Sequence, residues 1–224
     1  MFQRDYILRM IQELTEMIAN VSGLKKQQKQ ELAFSEIDDL LGRFFRMNSK
    51  LLNALSDKDI LSMFSTNGFL EAEKVLVLAQ VLREEGSLHQ SLGNEEEAVR
   101  RYRKGLQLAL GVSVWEERPS DLCIQAIRRL LEALQDYELP VSVLERLVGH
   151  YVKIQEYAAA EDCLFELADN QDADREALAE TGKSFYDKLL ERPLEELEQG
   201  GLPYAEVLEG RAVFAARYGK PIER

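Results

Sequence analysis

Apolar residues recur along this chain at three- and four-residue spacing, the period of one face of a helix. In the first 21 residues, Ile7, Met10, Ile11, Leu14, Met17, Ile18 and Val21 form one such stripe, which needs a partner helix to cover it. The period returns from Leu32 to Phe45, Phe69 to Leu92, Ala98 to Leu110, Leu122 to Leu134, Val141 to Ile154, Ala158 to Ala168, and Ala177 to Leu190. Helix punctuation falls between these stretches. Ser56 with Asp59 has the spacing of a capping box, Ser120 and Asp121 follow Pro119, and Pro140, Pro193 and Pro203 stand where helices can start. No segment shows convincing period-two alternation. The pattern predicts an all-α chain whose short connections make successive helices antiparallel neighbours.

Composition narrows the function classes. The 224 residues are 46% hydrophobic and 30% charged, enough to bury a core without disulfides or metal. With 28 Lys plus Arg against 40 Asp plus Glu, the formal charge of −12 repels phosphate backbones and acidic membrane surfaces, so neither nucleic acid nor membrane is an expected partner. Arg4, Asp5, Arg9, Glu13 and Glu16 interrupt the apolar runs of the N-terminal stretch, and the expectation is no signal peptide and no membrane span. Cys123 and Cys163 lack C-x-x-C or zinc spacing and sit among apolar neighbours. Both are expected to be buried free thiols in a reducing cytoplasm, and no cofactor is expected.

A repeat underlies the helices. Leu82, Gly86, His89, Ala98 and Tyr102 are spaced so that a small residue on one helix meets a small residue on the next. Leu144, Leu147, Val148, Tyr151, Ala160 and Leu164 repeat the arrangement, with the same twelve-residue step from Val148 to Ala160 as from Gly86 to Ala98. Met17, Val21, Leu24, Ala33 and Ile37 form a weaker copy. These positions resemble the tetratricopeptide-repeat family, and the resemblance implies antiparallel helical hairpins stacked as a short solenoid. The chain departs from the pattern at Leu82, at His89 where a tyrosine is usual, and at Leu110 where the closing proline is missing. The 62 residues from Ala98 to Ala160 are not a multiple of the ~34-residue period, so an irregular element including the Trp115 to Pro119 linker must intervene. Two phases stay open: the helix from Val141 is either the first of a hairpin or the second, after the helix from Leu122. The expected organisation is a single helical-repeat domain over 1–224, with an N-terminal helical region at about 1–55, clearer repeats at about 69–170 and C-terminal helices at about 174–219. The opening MFQRDYILRMIQELTEMIA and the later GGLPYAEVLEG are also similar to a small uncharacterised family of Gram-positive bacterial proteins with such helices. That likeness implies a cytoplasmic setting and no activity.

Little in the sequence points to catalysis. Within NEEEAVRRYRKG, Glu96 and Glu97 precede Arg100 and Arg101 by one turn, which reads as a solvated, self-paired helix face, while Tyr102 falls at a core position. His89 and His150 read as packed or surface histidines. A Cys163–His150 nucleophile pair has no recognised spacing, and Gly200 and Gly201 do not follow a strand as a phosphate loop would. The expected function is binding of a protein or peptide without catalysis. In tetratricopeptide repeats the first helix of each pair lines a concave groove, and the resemblance implies a groove comprising Lys25, Lys26, Arg83, Ser87, Gln90, Ser91, Glu145, Gly149, Val152 and Lys153, with Arg83 and Lys153 as charges lacking an equally placed partner. The asparagines with which carboxylate-binding members of the repeat family hold a C-terminus are missing. Two alternatives remain: a self-association module, as a homodimer through the Ile7 to Val21 stripe, and a cysteine-dependent enzyme.

Overall fold

A computed structural model describes residues 2–171 and 173–218. Twelve helices fill the described residues. In chain order they are α1 (Phe2–Lys26), α2 (Gln30–Phe45), α3 (Ser49–Ala54), α4 (Asp57–Met63), α5 (Ala72–Ser91), α6 (Glu95–Trp115), α7 (Asp121–Ala133), α8 (Val141–Lys153), α9 (Tyr157–Asp169), α10 (Arg175–Leu190), α11 (Leu194–Gln199) and α12 (Tyr204–Tyr218). The expected punctuation is in place. Ser56 and Asp59 form the capping box of α4, Ser120 Oγ accepts the Cys123 N–H at the start of α7, and Pro140, Pro193 and Pro203 stand immediately before α8, α11 and α12. One feature escaped the periodicity. Between α4 and α5, β1 (Ser65–Thr66) and β2 (Phe69–Leu70) pair across Asn67 and Gly68, both at positive φ (51° and 78°). Two residues per strand are too few to show alternation, so only the Asn–Gly pair marked this turn.

The backbone packs as two units, Met1–Glu116 with Ser120–Glu138, and Glu117–Pro119 with Leu139–Arg224. In the first, α1 pairs with α2, α5 with α6, and α7 lies on both α5 and α6. The N-terminal stripe finds its cover within the chain, because Met10, Leu14, Met17 and Val21 are buried and α1 packs on α2 and α5. Helix α5 is the centre of this unit. It touches α1, α2, α6 and α7, and from Val75 to Gly86 only Arg83 escapes burial. A helix enclosed on several sides shows little amphipathicity, and α5 is of that kind. Its crossing with α6 is close: a Cβ at Gly86 would lie 2.5 Å from Tyr102 Cε1 and 3.1 Å from the Ala98 carbonyl oxygen.

In the second unit α8 pairs with α9, and α10 packs on α9 and α12. Val141–Lys153 is therefore the first helix of a hairpin, which closes the question of phase. Ala160 is fully buried, as Ala98 is in the first unit. The α10–α12 crossing uses Gly182, where a Cβ would stand 2.0 Å from Phe214 Cε1. Two tyrosines tie the helices through carboxylates, Tyr157 to Glu196 and Tyr186 to Glu161 at 2.7 Å.

Candidate functional site

Much of the groove expected on α5 is occupied by the protein itself. The Lys25 amine donates to the Ser87 hydroxyl (2.8 Å) and carbonyl (3.1 Å), so two of the expected groove residues satisfy each other. Arg83 is not without a partner, since it pairs with the adjacent Glu84, and Gln90 accepts the Tyr102 hydroxyl at 3.1 Å. Lys153 is likewise engaged, while Lys26, Ser91, Glu145 and Gly149 are exposed. The contrast between paired and unpaired charges drawn from the sequence fails at Arg83. Helix spacing reports partners one turn away on the same helix, whereas the Arg83 partner is the next residue.

The reading of α6 as a self-paired, solvated face also needs correction. Arg100 is exposed and bonds Glu97 at 2.8 Å, as a surface pair should. Arg101, by contrast, is buried. It bonds Glu97, and its Nε donates to Glu85 Oε1 at 3.1 Å. Glu85 is 1% exposed and also accepts the Ser49 hydroxyl (2.6 Å) and the Asn53 amide (3.1 and 3.3 Å). A carboxylate with that many donors is satisfied despite its burial. Nearby, Lys104 closes the end of α3 by donating to the carbonyls of Asn53 (3.0 Å) and Leu55, and burial lowers its pKa. His89 Nε2 stands 3.9 Å from Glu85, its Nδ1 is buried without a hydrogen-bond partner, and its ring lies 5.1 Å from that of Phe34. Burial first, then the Arg101 charge, lowers the His89 pKa against the pull of Glu85 and Glu97. This cluster was not found from sequence, because Ser49 and Asn53 precede Glu85 by more than thirty residues and carry no motif.

The second unit holds an open cleft of about 850 Å³ between α8 and α10. Val148, Phe185 and Leu189 line it and are nearly buried, which makes them its floor. Gly149 and Val152, both expected groove positions, form one wall, and the exposed Ala177, Thr181 and Ser184 of α10 face them. Around the cleft Asp187 pairs with Arg211 at 2.5 Å and Arg192 with Glu196 at 3.6 Å, whereas Glu180, Lys183, Lys188 and Glu191 make no ion pair among the described residues. The walls are small, the floor apolar and the rim charged in both signs. Such a surface can accept the apolar side chains of an extended segment or helix and orient it through the rim.

Both cysteines are free; Cys123 is buried as expected, whereas Cys163 is only partly so, and burial with the neighbouring Glu166 and Asp162 charges pushes its thiol up to about 12, the opposite of an activated nucleophile. Among the described residues no three His, Cys, Asp or Glu side chains converge in a group that could hold a metal ion, and no helix is long and apolar enough to cross a membrane.

Fold and surface together define a mostly helical protein whose helices pack against one another, with a cleft between two of them. The chain belongs to DUF6483, a family of unknown function whose pattern matches residues 1–219. No curated protein and no solved structure matches it.

Proposed function

We propose that this chain is a non-catalytic scaffold of tetratricopeptide-like hairpins that binds a protein or peptide in the cleft between α8 and α10. The cleft carries the reading: its floor is apolar and its rim holds four charges that no ion pair among the described residues uses. In a stacked-hairpin protein the first helices of successive pairs line the concave face. Helix α8 is the first of its hairpin with α9, and α10 packs on α9 and on the following α12, which is the order this reading needs. The small contacts at Gly86 with Ala98, and buried Ala160 in the second copy, agree with the repeat. A cytoplasmic setting goes with this reading.

Self-association through the N-terminal stripe loses its motive, since much of the stripe is spent on α2 and α5. The raised pKa of Cys163, which keeps its thiol protonated, argues in the same direction against a cysteine-dependent enzyme.

Filling the cleft tests the proposal. Ser184→Trp places a large ring over the floor at an exposed position and should leave the circular dichroism spectrum and melting temperature unchanged. Partners captured by the wild-type protein in quantitative affinity purification should be depleted at least about tenfold with this variant, the equivalent of losing one good interface contact. A control, Glu96→Trp on α6, should retain them. Equal capture by wild type and Ser184→Trp would refute the cleft as the binding surface.

A further inference from the structure

We propose that the Glu85 cluster makes the docking of the α1–α2 hairpin on α5 acid-sensitive, with His89 as the group that titrates. The cluster has no room for a second cation. Glu85 already receives Ser49, Asn53 and Arg101. The 3.9 Å from His89 Nε2 to Glu85 is too long for a hydrogen bond, and His89 Nδ1 has no acceptor. A neutral imidazole tolerates this setting. An imidazolium would bring two donors to a site offering one shared carboxylate and would add positive charge beside Arg101.

The groups that act on the ring can be named from each side. Glu85 lies on its own helix, and α6 contributes Arg101, Glu97 and Arg100. Helix α2 contributes the uncharged Phe34 ring, and α3 supplies Ser49 and Asn53, which act through Glu85. Two residues earlier on α5, Ser87 holds Lys25 of α1. The protonated ring gains water most directly by displacing Phe34, so acid favours the state in which α2 has lifted from α5. His89 is disfavoured as a cation only while docked, and the linkage has a definite sign. Docking is full above the ordinary histidine range near pH ~6.5 and weakens as pH falls through it. The device belongs to the N-terminal unit and stands whether or not the α8–α10 cleft binds a peptide.

Amide hydrogen exchange on the full chain between pH 7.5 and 5, corrected for intrinsic rates, reads the docking equilibrium directly. In the wild type, protection of α1 and α2 amides such as Met17, Val21 and Ile37 should fall at least about threefold on acidification. His89→Phe and His89→Gln cannot titrate, and in each the protection of these amides should become flat over the same range. The NMR titration of the His89 ring in the wild type supplies a readout that needs no variant: its midpoint should lie below that of a histidine in the unfolded chain. Protection that stays flat or rises with acid in the wild type, a ring midpoint at or above the unfolded value, or a pH dependence that survives in a folded variant would each overturn the proposal.

Discussion

Replacing Arg101 by methionine separates the sequence reading of α6 from its structure by magnitude. Read as one of two exposed pairs one turn apart, Arg101 would contribute ~0.2–0.5 kcal/mol. In the structure its side chain is 9% exposed and neutralises a carboxylate that is itself buried. Breaking such a pair by removing one partner costs roughly 3–5 kcal/mol, because the remaining charge stays in a poor solvent. Ser49 and Asn53 still donate to Glu85 after the substitution, which places the expected loss near the lower limit, about 3 kcal/mol. For a chain of this size that is a fall in melting temperature of roughly 6–12 °C. Urea denaturation followed by circular dichroism measures it. Arg100→Met is the control: its side chain is 60% exposed and bonds a half-exposed Glu97, so its loss should stay below about 1 kcal/mol. Adding Glu85→Gln to Arg101→Met should recover part of the stability by removing the stranded charge. If Arg101→Met costs no more than Arg100→Met, the buried pair carries no weight and the account of the cluster is wrong.

Two further outcomes follow from packing and ionisation. Gly86→Ala drives a Cβ to 2.5 Å from the Tyr102 ring and should cost roughly 1–3 kcal/mol in thermal melting, whereas Gly149→Ala, with nothing within 4 Å, should be neutral or stabilising; identical melting of the two variants would count against the close α5–α6 crossing. Burial pushes both the Cys163 thiol and the Tyr157 hydroxyl up to about 12, so these groups lose protons more readily in the unfolded chain. Their contribution is complete below the unfolded thiol value near ~8.5 and is lost as pH climbs from there toward the folded values. Denaturation midpoints should therefore decline between pH 8.5 and 10.5, less steeply in Cys163→Ala than in the wild type.

The sequence by itself determined the helices and their punctuation, because both are local. Stripe spacing placed α2 and α7 to α10 nearly whole and the middle of α6, and the Ser56, Ser120 and proline signals stood at the starts of the right helices. Small residues at Gly86, Ala98 and Ala160 were legible for a related reason: a crossing leaves room for little else. Half of the cleft could be read in the same way, since Gly149 and Val152 fall on the outward face of α8, but the facing Ala177, Thr181 and Ser184 of α10 had no mark that set them apart from any solvated helix surface. Only the tertiary structure decided which polar groups meet. Ser49, Asn53, Glu85 and Arg101 come from three helices, and the burial of Glu85 follows from the enclosure of α5, which no single stretch of sequence reveals. Helical periodicity fixes the direction in which a side chain leaves its own helix. Whether water, another helix or an opposite charge waits there depends on how the helices are stacked, and that is why Arg100 and Arg101, neighbours with the same acidic partner, stand on opposite sides of the boundary between surface and core.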